Sequence, residues 1–384
     1  MVSTACASAL TVWSIVTAQR RALGNEAAQT LYGAIQVFPQ GHRQASELLP
    51  LRPNLTGLAA LRQRIEAVPG VRAVSARLVF GAMVSNAGEG EGRSASVAVT
   101  AFDPAREVLA APGRFRLVDR TPLPHSDEGV LLARPLAQAL KLDQGGGAAV
   151  VLASDVDELL NGVEVPLQAT FIPVLPTDRL GVWLPLSTAQ ELLRMPDAAT
   201  ELAVAVTDLR DMHQVRDRIA AALGNSVEVE TWEDRLPALA DMMAGLRVSA
   251  MLITLVIALV ALMGVAATAS LNVRDRRREI GTWVALGARR SFVRQSFIFE
   301  SALCGLSGAA LGIALAALAS WVLVQFGVAM KIPGTDVLVD AAPRLNASEA
   351  ALATVFACAV SILAAWFPAQ RASRVAPAEA LADR

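Results

Sequence analysis

The residues of this chain that could do covalent or metal chemistry are few and widely spaced. Its three histidines, His42, His125 and His213, never occur in a two-histidine spacing such as H-E-x-x-H. No G-x-S-x-G nucleophile motif is present. The acidic run at 155–158 could bind a cation, but a solvated acidic turn explains it better. We therefore expect no catalytic, cofactor or metal site in this chain.

A phosphate-binding loop is also absent from the sequence. ATP hydrolysis needs the pattern G-x-x-x-x-G-K-[ST], in which the lysine reaches the β and γ phosphates. The chain has only two lysines, Lys141 and Lys331, and neither follows a glycine. Any ATPase that acts with this chain, and the ATP and Mg²⁺ that it binds, must therefore belong to another polypeptide.

The most informative pattern is the stretch VRDRRREIGTWVALGARRSFVRQSFIFE at 273–300. Its first arginines could simply anchor a helix end at anionic headgroups, each for about 1 kcal/mol. That role does not explain the apolar strip Ile280, Val284 and Leu286, which is flanked by Gly281 and Gly287 in an otherwise polar loop. A short amphipathic element of this kind is typical of docking into the groove of a partner protein.

Three charge-free stretches, one before this loop and two after it, must position the loop. Of all residues, 54% are hydrophobic and 18% are charged, whereas an average soluble protein has about 25% charged residues. The uncharged stretches 248–271, 301–330 and 350–370 each reach the roughly 20 residues of a membrane span. Residues 1–19 form a weaker fourth span. The composition excludes a soluble globular protein.

The charge distribution predicts the orientation of these spans. Segment 25–245 has 19 basic and 27 acidic residues, a net charge of −8, whereas 272–296 has seven arginines and two acids, a net charge of +5. Arginine-rich short loops stay in the cytoplasm, so 25–245 is expected outside. Without a basic stripe interleaved with aromatic residues, nucleic acid is not an expected partner.

The outer segment shows a mixed α and β pattern. We expect a helix after Asn54 as N-cap and a long hairpin around the turn-rich run NAGEGEG. A helix should begin at Pro104 with Asp103 as N-cap, and another should follow a Ser187–Gln190 capping box. The other expected elements are strands at 31–38, 148–153, 163–174, 182–186 and 227–231 and a helix at 212–223.

Three motifs resemble the FtsX/MacB-type ABC transporter permease family. They are RRREIGTWVALGARRSFV (276–293), FIFESALCGLSGAALG (297–312) and FPAQRASRVAPAEAL (367–381). The family shows an R-E-I-G-x-x-x-A-x-G-A loop, a glycine-rich third helix with a glutamate, and a terminal P-A-x-R-A-x-x-x-x-P-x-E-A-L. The stretch TWEDRLPAL (231–239) is also similar to lipoprotein-releasing permeases.

The resemblance implies an α-helical membrane protein with four transmembrane helices and a large mixed α/β extracytoplasmic domain between the first and second. An amphipathic helix should precede the first span, so we expect the native chain to begin upstream of Met1. The implied divisions are helix 1 (1–19), a MacB-like periplasmic domain and stalk (25–245), helix 2 (246–271), a cytoplasmic coupling loop (272–296), helix 3 (297–328), an extracytoplasmic loop (329–349), helix 4 (350–370) and a cytoplasmic tail (371–384).

The same resemblance implies a coupling element that contacts a separate nucleotide-binding ATPase. Its expected residues are Arg278, Glu279, Ile280, Gly281, Ala285, Leu286, Gly287 and Ala288.

The third span adds a helix-packing prediction. Small residues recur there every four positions, and this pattern favours a close helix contact within the subunit or across a dimer. The expected packing residues are Gly308, Gly312 and Ala316, with Cys304 and Ser320 on the same face. We expect Glu300, at the cytoplasmic end of this span, to pair with Arg294 or a helix N-terminus.

The predicted function is that of a permease subunit in the cell inner membrane. It would transmit ATP-driven motion to a periplasmic domain, for export or extraction of a lipoprotein, lipid or peptide. Expected partners are the ATPase, a second permease copy or paralogue, membrane lipids, and a periplasmic adaptor, lipoprotein or hydrolase. The alternative is an FtsX-like regulator that activates an extracytoplasmic cell-wall hydrolase. A membrane-anchored enzyme would need a polar constellation that the sequence does not show.

Overall fold

The chain forms two compact units, which we describe separately. Residues 1–21, 241–330 and 340–384 form the membrane unit, and residues 22–240 and 331–339 form the outer unit. The computed structural model describes residues 2–42, 51–87, 92–115, 118, 129–142, 147–173, 176–326, 329–331, 338–340 and 346–372.

The chain up to residue 235 contains eight described α-helices and eleven strands. In chain order the helices are α1 (Val2–Glu26), α2 (Leu58–Glu66), α3 (Pro104–Ala110), α4 (Pro112–Phe115), α5 (Arg134–Ala139), α6 (Leu186–Leu192), α7 (Met212–Leu223) and α8 (Trp232–Arg235). The strands are β1 (Ile35–Pro39), β2 (Leu55–Thr56), β3 (Val71–Asn86), β4 (Ser94–Phe102), β5 (Val130–Ala133), β6 (Ala148–Ser154), β7 (Leu160–Phe171), β8 (Gly181–Pro185), β9 (Ala198–Ala199), β10 (Glu201–Val206) and β11 (Val227–Thr231).

Nine of these strands form one mixed sheet in the outer unit. Their order is β11-β1-β10-β3-β4-β8-β5-β7-β6, and β6 also pairs with the distal half of β3. This second pairing closes six of the strands into a barrel, which leaves few free strand edges. Alternate side chains of the barrel strands fill its interior. The core includes Leu78, Phe80, Val99, Leu132, Phe171 and Trp183.

The long hairpin that the sequence predicted is confirmed. Strands β3 and β4 pair antiparallel from Arg77 opposite Phe102 to Ser85 opposite Ser94. The Asp103 cap is confirmed too, because its carboxylate accepts a hydrogen bond from the Ala105 amide at 2.9 Å. Within the connecting run NAGEGEG, 88–91 lie outside the described residues.

The spacing of buried residues in α7 explains why this segment forms a helix. Its buried residues Met212, Val215, Ile219 and Leu223 recur every three or four positions and form one apolar stripe. Gly224 follows with a φ of 72°, a backbone conformation that favours glycine and ends the helix. The predicted bounds of this helix and of β11 match the structure.

Three other predictions about the outer segment are wrong. The strand expected at 31–38 begins at Ile35, because the helical path of α1 continues as a π-helical turn through Leu31. Asn54 does not cap α2, whose N-cap is Gly57. The proposed Ser187–Gln190 capping box does not form, since Gln190 instead donates to the Ala198 carbonyl at 3.0 Å.

Strand β10 lies inside the sheet and was not predicted from the sequence. Every residue of Glu201–Val206 is buried, and the strand lies between β1 and β3. Its partners are over a hundred residues away in sequence, so no hairpin turn signals its presence.

The membrane unit contains the long apolar helices. In addition to α1, these helices are α9 (Pro237–Asp275), α11 (Arg290–Gln325) and α12 (Ala347–Ala372), and the short helix α10 (Arg277–Ala285) lies between α9 and α11 in sequence. The short strands β12 (Ala329–Lys331) and β13 (Leu338–Asp340) lie between α11 and α12 in sequence, and 331–339 belong to the outer unit. Among the described residues, four helices, α1, α9, α11 and α12, are long and apolar enough to cross a membrane. At 39 residues, α9 measures about 58 Å, roughly twice the thickness of a hydrocarbon core.

Several sequence predictions concern residues outside those described. They include most of the loop expected at 329–349, of which 332–337 and 341–345 are not described. The tail beyond Ala372 and the glycines at 145 and 146 also fall outside.

Candidate functional site

The loop between α9 and α11 folds as a short helix with a defined end. Helix α10 ends at Ala285 with Leu286 as its C-cap, and Gly287 follows with a φ of 90°. The Gly287 amide donates to the Val284 carbonyl at 3.0 Å, and the Ala288 amide donates to the Trp283 carbonyl at 3.0 Å. These two bonds make a Schellman motif, which explains why a glycine follows the helix.

One face of α10 is buried against the ends of the long helices. Ile280 is 1% exposed and packs in a cluster with Val273, Val293, Phe297, Ala369 and Ala372. The last two belong to the C-terminal motif, so two motifs about 90 residues apart in sequence meet at this side chain. We conclude that Ile280 fixes the position of α10 on α11 and α12.

The opposite side of α10 faces outward. Leu286 is 82% exposed, whereas Ile280, six residues earlier, is buried. The predicted apolar strip is therefore divided, since Ile280 is buried, Val284 is half-buried and Leu286 is exposed. Of the eight predicted coupling residues, five are exposed, namely Arg278, Glu279, Ala285, Leu286 and Gly287.

An ion pair and a ring contact hold this loop. The Trp283 and Phe292 rings meet edge to face at 6.3 Å between centroids. Arg276 Nη1 lies 3.2 Å from Glu300 Oε2. The expected pairing of Glu300 with Arg294 is wrong, because Arg294 lies over the Trp366 ring, 5.8 Å from its centroid.

The small-residue face of α11 packs within the same chain. A Cβ added at Gly312 would lie 2.8 Å from Cys6 Cβ and 2.9 Å from the Ser3 carbonyl oxygen. One added at Gly308 would lie 2.7 Å from Val2 Cγ1. Ala316 is fully buried. The glycines thus allow α1 to approach α11 closely.

Two other predicted positions of this face differ in exposure. Ser320 is buried, whereas Cys304 is exposed and does not belong to the buried face.

The outer unit contains a buried ionic cluster that sequence analysis missed. Arg77 and Glu107 are 1% and 0% exposed in their side chains, and Arg77 Nε lies 3.0 Å from Glu107 Oε1. Glu201 lies 3.4 Å from Arg77, and Arg114 lies 3.4 Å from Glu107. Burial raises the pKa of Glu107, but the two adjacent guanidinium groups outweigh burial and hold this pKa below its usual value.

No group of histidine, cysteine or acidic side chains with metal-binding geometry occurs among the described residues. At the acidic turn considered above, Asp155 Oδ1 accepts hydrogen bonds from the Asp157 and Leu159 amides, both at 2.9 Å. Its Oδ2 accepts from Asn161 Nδ2 at 3.0 Å. The carboxylate therefore stabilises its own turn.

Two family models match the chain. The MacB-like periplasmic core domain matches residues 2–222, more than half of the chain, and the FtsX-like permease C-terminal model matches residues 251–377. The chain belongs to the FtsX/MacB-type family of ABC transporter permeases. It is a membrane protein whose MacB-like domain lies outside the cytoplasm. The FtsX-like match includes α10, α11 and α12 in full, and hence every predicted coupling residue.

Relatives of this FtsX/MacB-type permease include two enterobacterial proteins. The macrolide export ATP-binding/permease protein MacB of Salmonella typhimurium is 30% identical over 240 residues, which cover 61% of this chain and 35% of the relative. MacB of Escherichia coli K12 is 30% identical over 210 residues, 53% of this chain and 30% of the relative. The chain thus spans about a third of the length of the curated relatives that it matches.

Solved structures show a weaker likeness to the permease. The extracellular domain of the noncanonical ABC-type transporter YknZ from Gram-positive bacteria has a TM-score of 0.36 and 12% identity, with 52% of this chain and 100% of that chain covered. The periplasmic region of MacB from Actinobacillus actinomycetemcomitans has a TM-score of 0.37 and 9% identity, with 54% and 92% covered.

Proposed function

We propose that this permease converts ATP hydrolysis by a nucleotide-binding ATPase subunit into movement of its periplasmic domain. The ATPase would bind ATP and Mg²⁺ and would dock on the exposed side of α10. The observation that carries this proposal is Leu286, an 82% exposed leucine held at the end of a short helix whose other face is buried. An apolar side chain presented in this way is suited to a partner's groove.

The charges around Leu286 support a protein partner. Arg278 and Glu279 are exposed on the same helix, and charges at the rim of an apolar contact contribute specificity. The neighbouring arginines would also bind anionic lipid headgroups at the cytoplasmic surface. The site therefore combines a protein contact with a membrane contact.

The membrane helices favour mechanical transmission over passage of a solute. The stretches 248–271, 301–330 and 350–370 contain no charged residue, and intramembrane charges usually mark ion or solute pathways. We propose the inner membrane as the location and a lipoprotein, a lipid or a peptide as the load. The name of the curated relatives adds a macrolide to these classes.

A second copy of the permease is the proposed partner within the membrane. Large apolar side chains are exposed along α9, including Leu252, Val256, Leu259, Val260 and Met263. Lipid or another apolar helix must cover this surface, since water would not solvate it favourably. We propose that a second copy of the permease covers part of this surface of α9.

The docking proposal is tested by Leu286→Glu. A carboxylate at the centre of an apolar contact must be desolvated or expelled, at a cost of several kcal/mol. We expect the variant to lose copurification with the ATPase or to lose permease-stimulated hydrolysis in nanodiscs. Ser291→Glu is the matched control, because Ser291 is exposed at the start of α11 and lies outside the predicted coupling residues.

The two variants separate docking from folding. Equal membrane abundance of both proteins shows that the helices have formed. Normal complex formation and normal hydrolysis in Leu286→Glu, at that abundance, would refute this docking surface.

A further inference from the structure

We infer that Tyr32, Arg77 and Arg235 hold two chain segments of the outer unit against its sheet, namely the segment that leads from α1 into β1 and the segment that leads from β11 into α9. We call these three residues the joint, and the two segments the connections. This inference rests on the proposed function, because a joint of this kind matters only if motion must pass through it. Arg77 and Arg235 are positioning residues, and neither is expected to touch ATP or substrate.

The two connecting segments enter and leave the sheet side by side. Strand β1 follows α1 in sequence, and β11 precedes α8 and α9. The two strands pair antiparallel over five positions, from Ile35 opposite Thr231 to Pro39 opposite Val227. A displacement of one strand along its axis would break this register, so the two segments move together.

Backbone hydrogen bonds extend the pairing beyond the strands. The Ala34 amide donates to the Val204 carbonyl at 3.1 Å, and the Ala34 carbonyl accepts from the Trp232 amide at 3.2 Å. Ala34 thus links the incoming chain to the central strand β10 and to the first residue of α8. The preceding Gly33 has a φ of 88°, and a Cβ there would lie 3.3 Å from Ala203 Cβ.

Arg235 joins the outgoing chain to the incoming chain. Its guanidinium carbon lies 5.7 Å from the centroid of the Tyr32 ring and 5.2 Å from that of the Phe38 ring. Contacts of this kind are worth about 0.5–2 kcal/mol, depending on desolvation. Arg235 Nη1 also lies 3.9 Å from Glu230 Oε2 on β11.

Arg77 anchors the same tyrosine to the middle of the sheet. Its Nη1 donates to the Tyr32 carbonyl at 3.0 Å, while its other nitrogens bind Glu107. Glu201, on β10, lies 3.4 Å from the same Nη1. The cluster contains two arginines and two glutamates, so its charges balance. Because these glutamates hold the Arg77 guanidinium in place, it has little freedom to follow the Tyr32 carbonyl if that carbonyl moves.

In both connections the backbone departs from regular α-helix between the joint and the long helix, α1 in the first and α9 in the second. In the first, Ala27–Leu31 is a π-helical turn. In the second, Leu236 has φ and ψ of −122° and 61° between α8 and α9, and Pro237 begins α9. Residues of this kind can absorb backbone rotation. The joint is thus a fixed point, with two places of possible bending next to it.

Hydrogen exchange of the permease copurified with its ATPase, in nanodiscs, tests this joint. The probe is a non-hydrolysable ATP analogue with Mg²⁺. In the wild type we expect nucleotide to change deuterium uptake in peptides covering β1, β10 and β11. In Arg235→Ala this change should fall about fivefold or more, whereas α9 should still respond and ATP hydrolysis should continue.

Two controls exclude a simple loss of structure. Arg216→Ala removes a half-buried arginine of α7 that pairs with Asp217, and it should behave like the wild type. Tyr32→Phe keeps the ring under Arg235 and the backbone carbonyl bound by Arg77, and it should also keep the response. Arg235→Ala must show the same basal exchange in the barrel strands as the wild type.

The outcomes separate the joint from the proposed function. A nucleotide response of equal size in β1, β10 and β11 of Arg235→Ala and the wild type would overturn the joint and leave the proposed function intact. If the wild type shows no response in the outer unit while its ATPase turns over, the proposed function fails and the joint fails with it.

Discussion

At the scale of single residues, the stability of the outer unit depends on the buried ion pair between Arg77 and Glu107. Removing either charge leaves the buried cluster of two arginines and two glutamates with an unbalanced charge, which costs several kcal/mol. Because the pKa of Glu107 is held below its usual value, its ionised form stabilises the fold. This contribution is complete above the ordinary glutamate pKa of about 4.3 and is lost as the pH falls through the folded value.

We expect Glu107→Gln to destabilise the outer unit by about 3–5 kcal/mol at neutral pH. The difference from the wild type should shrink as the solution is acidified, because the wild type then loses the same charge. Pulse proteolysis of the full permease in urea, from neutral to acidic pH, measures both effects. Glu66→Gln is the control, because Glu66 forms a solvent-exposed ion pair with Arg106 and its side chain is 38% exposed. This variant should lower the free energy of unfolding by less than about 1 kcal/mol. A loss equal to that of the control would contradict the role of Glu107.

At the scale of secondary-structure elements, the contact between α11 and α1 depends on residues without side chains. A Cβ at Gly312 would meet backbone atoms of Ser3 and Ala7 at 2.9 and 3.1 Å, and backbone cannot move aside without displacing the whole helix. Apolar surface gives no hydrophobic gain between helices in lipid, so close packing must supply the attraction.

Gly312→Val should therefore separate the two helices and destabilise the membrane unit by about 1–3 kcal/mol. Thermal unfolding of the purified permease in detergent micelles measures this loss as a lower melting temperature. Gly245→Val is a matched control within α9, because a Cβ at Gly245 meets nothing within 4 Å. Equal melting temperatures for the two variants would show that α1 and α11 do not depend on this contact.

The elements differ in how well the sequence predicts them. Local signals identified the β3–β4 hairpin, the Asp103 cap and α7, because turn residues and helical periodicity lie within each element. Strand β10 was missed, since its pairing depends on residues far away in the chain. The division of the coupling strip into a buried Ile280 and an exposed Leu286 also depends on a distant partner, the C-terminal end of α12.

At the scale of the whole molecule, the orientation in the membrane is the next property to test. Arg21 Nη2 lies 3.9 Å from Glu349 Oε1, so the end of α1 and the start of α12 lie on the same side of the membrane unit. From the net charges of −8 for 25–245 and +5 for 272–296, we expect that side to lie outside and the α10 loop to lie inside.

Single-cysteine variants test this orientation in a background in which Cys6, Cys304 and Cys358 are replaced. Ser94 and Ser291 are both exposed in the structure. In intact cells we expect an impermeant thiol reagent to label Ser94→Cys and to leave Ser291→Cys unlabelled. Permeabilised cells should show labelling at both positions. The reverse pattern in intact cells would invert the topology.

The pairing of β1 with β11 has a consequence for how this protein could have been assembled. Ile35 and Thr231 lie opposite each other, and residues so paired are separated by about 5 Å, the span of a tight turn. The segment from Ile35 to Thr231, which is most of the outer unit, therefore begins and ends at nearly the same place. Evolution could acquire, lose or exchange such a module without changing the spacing between the first and second membrane helices.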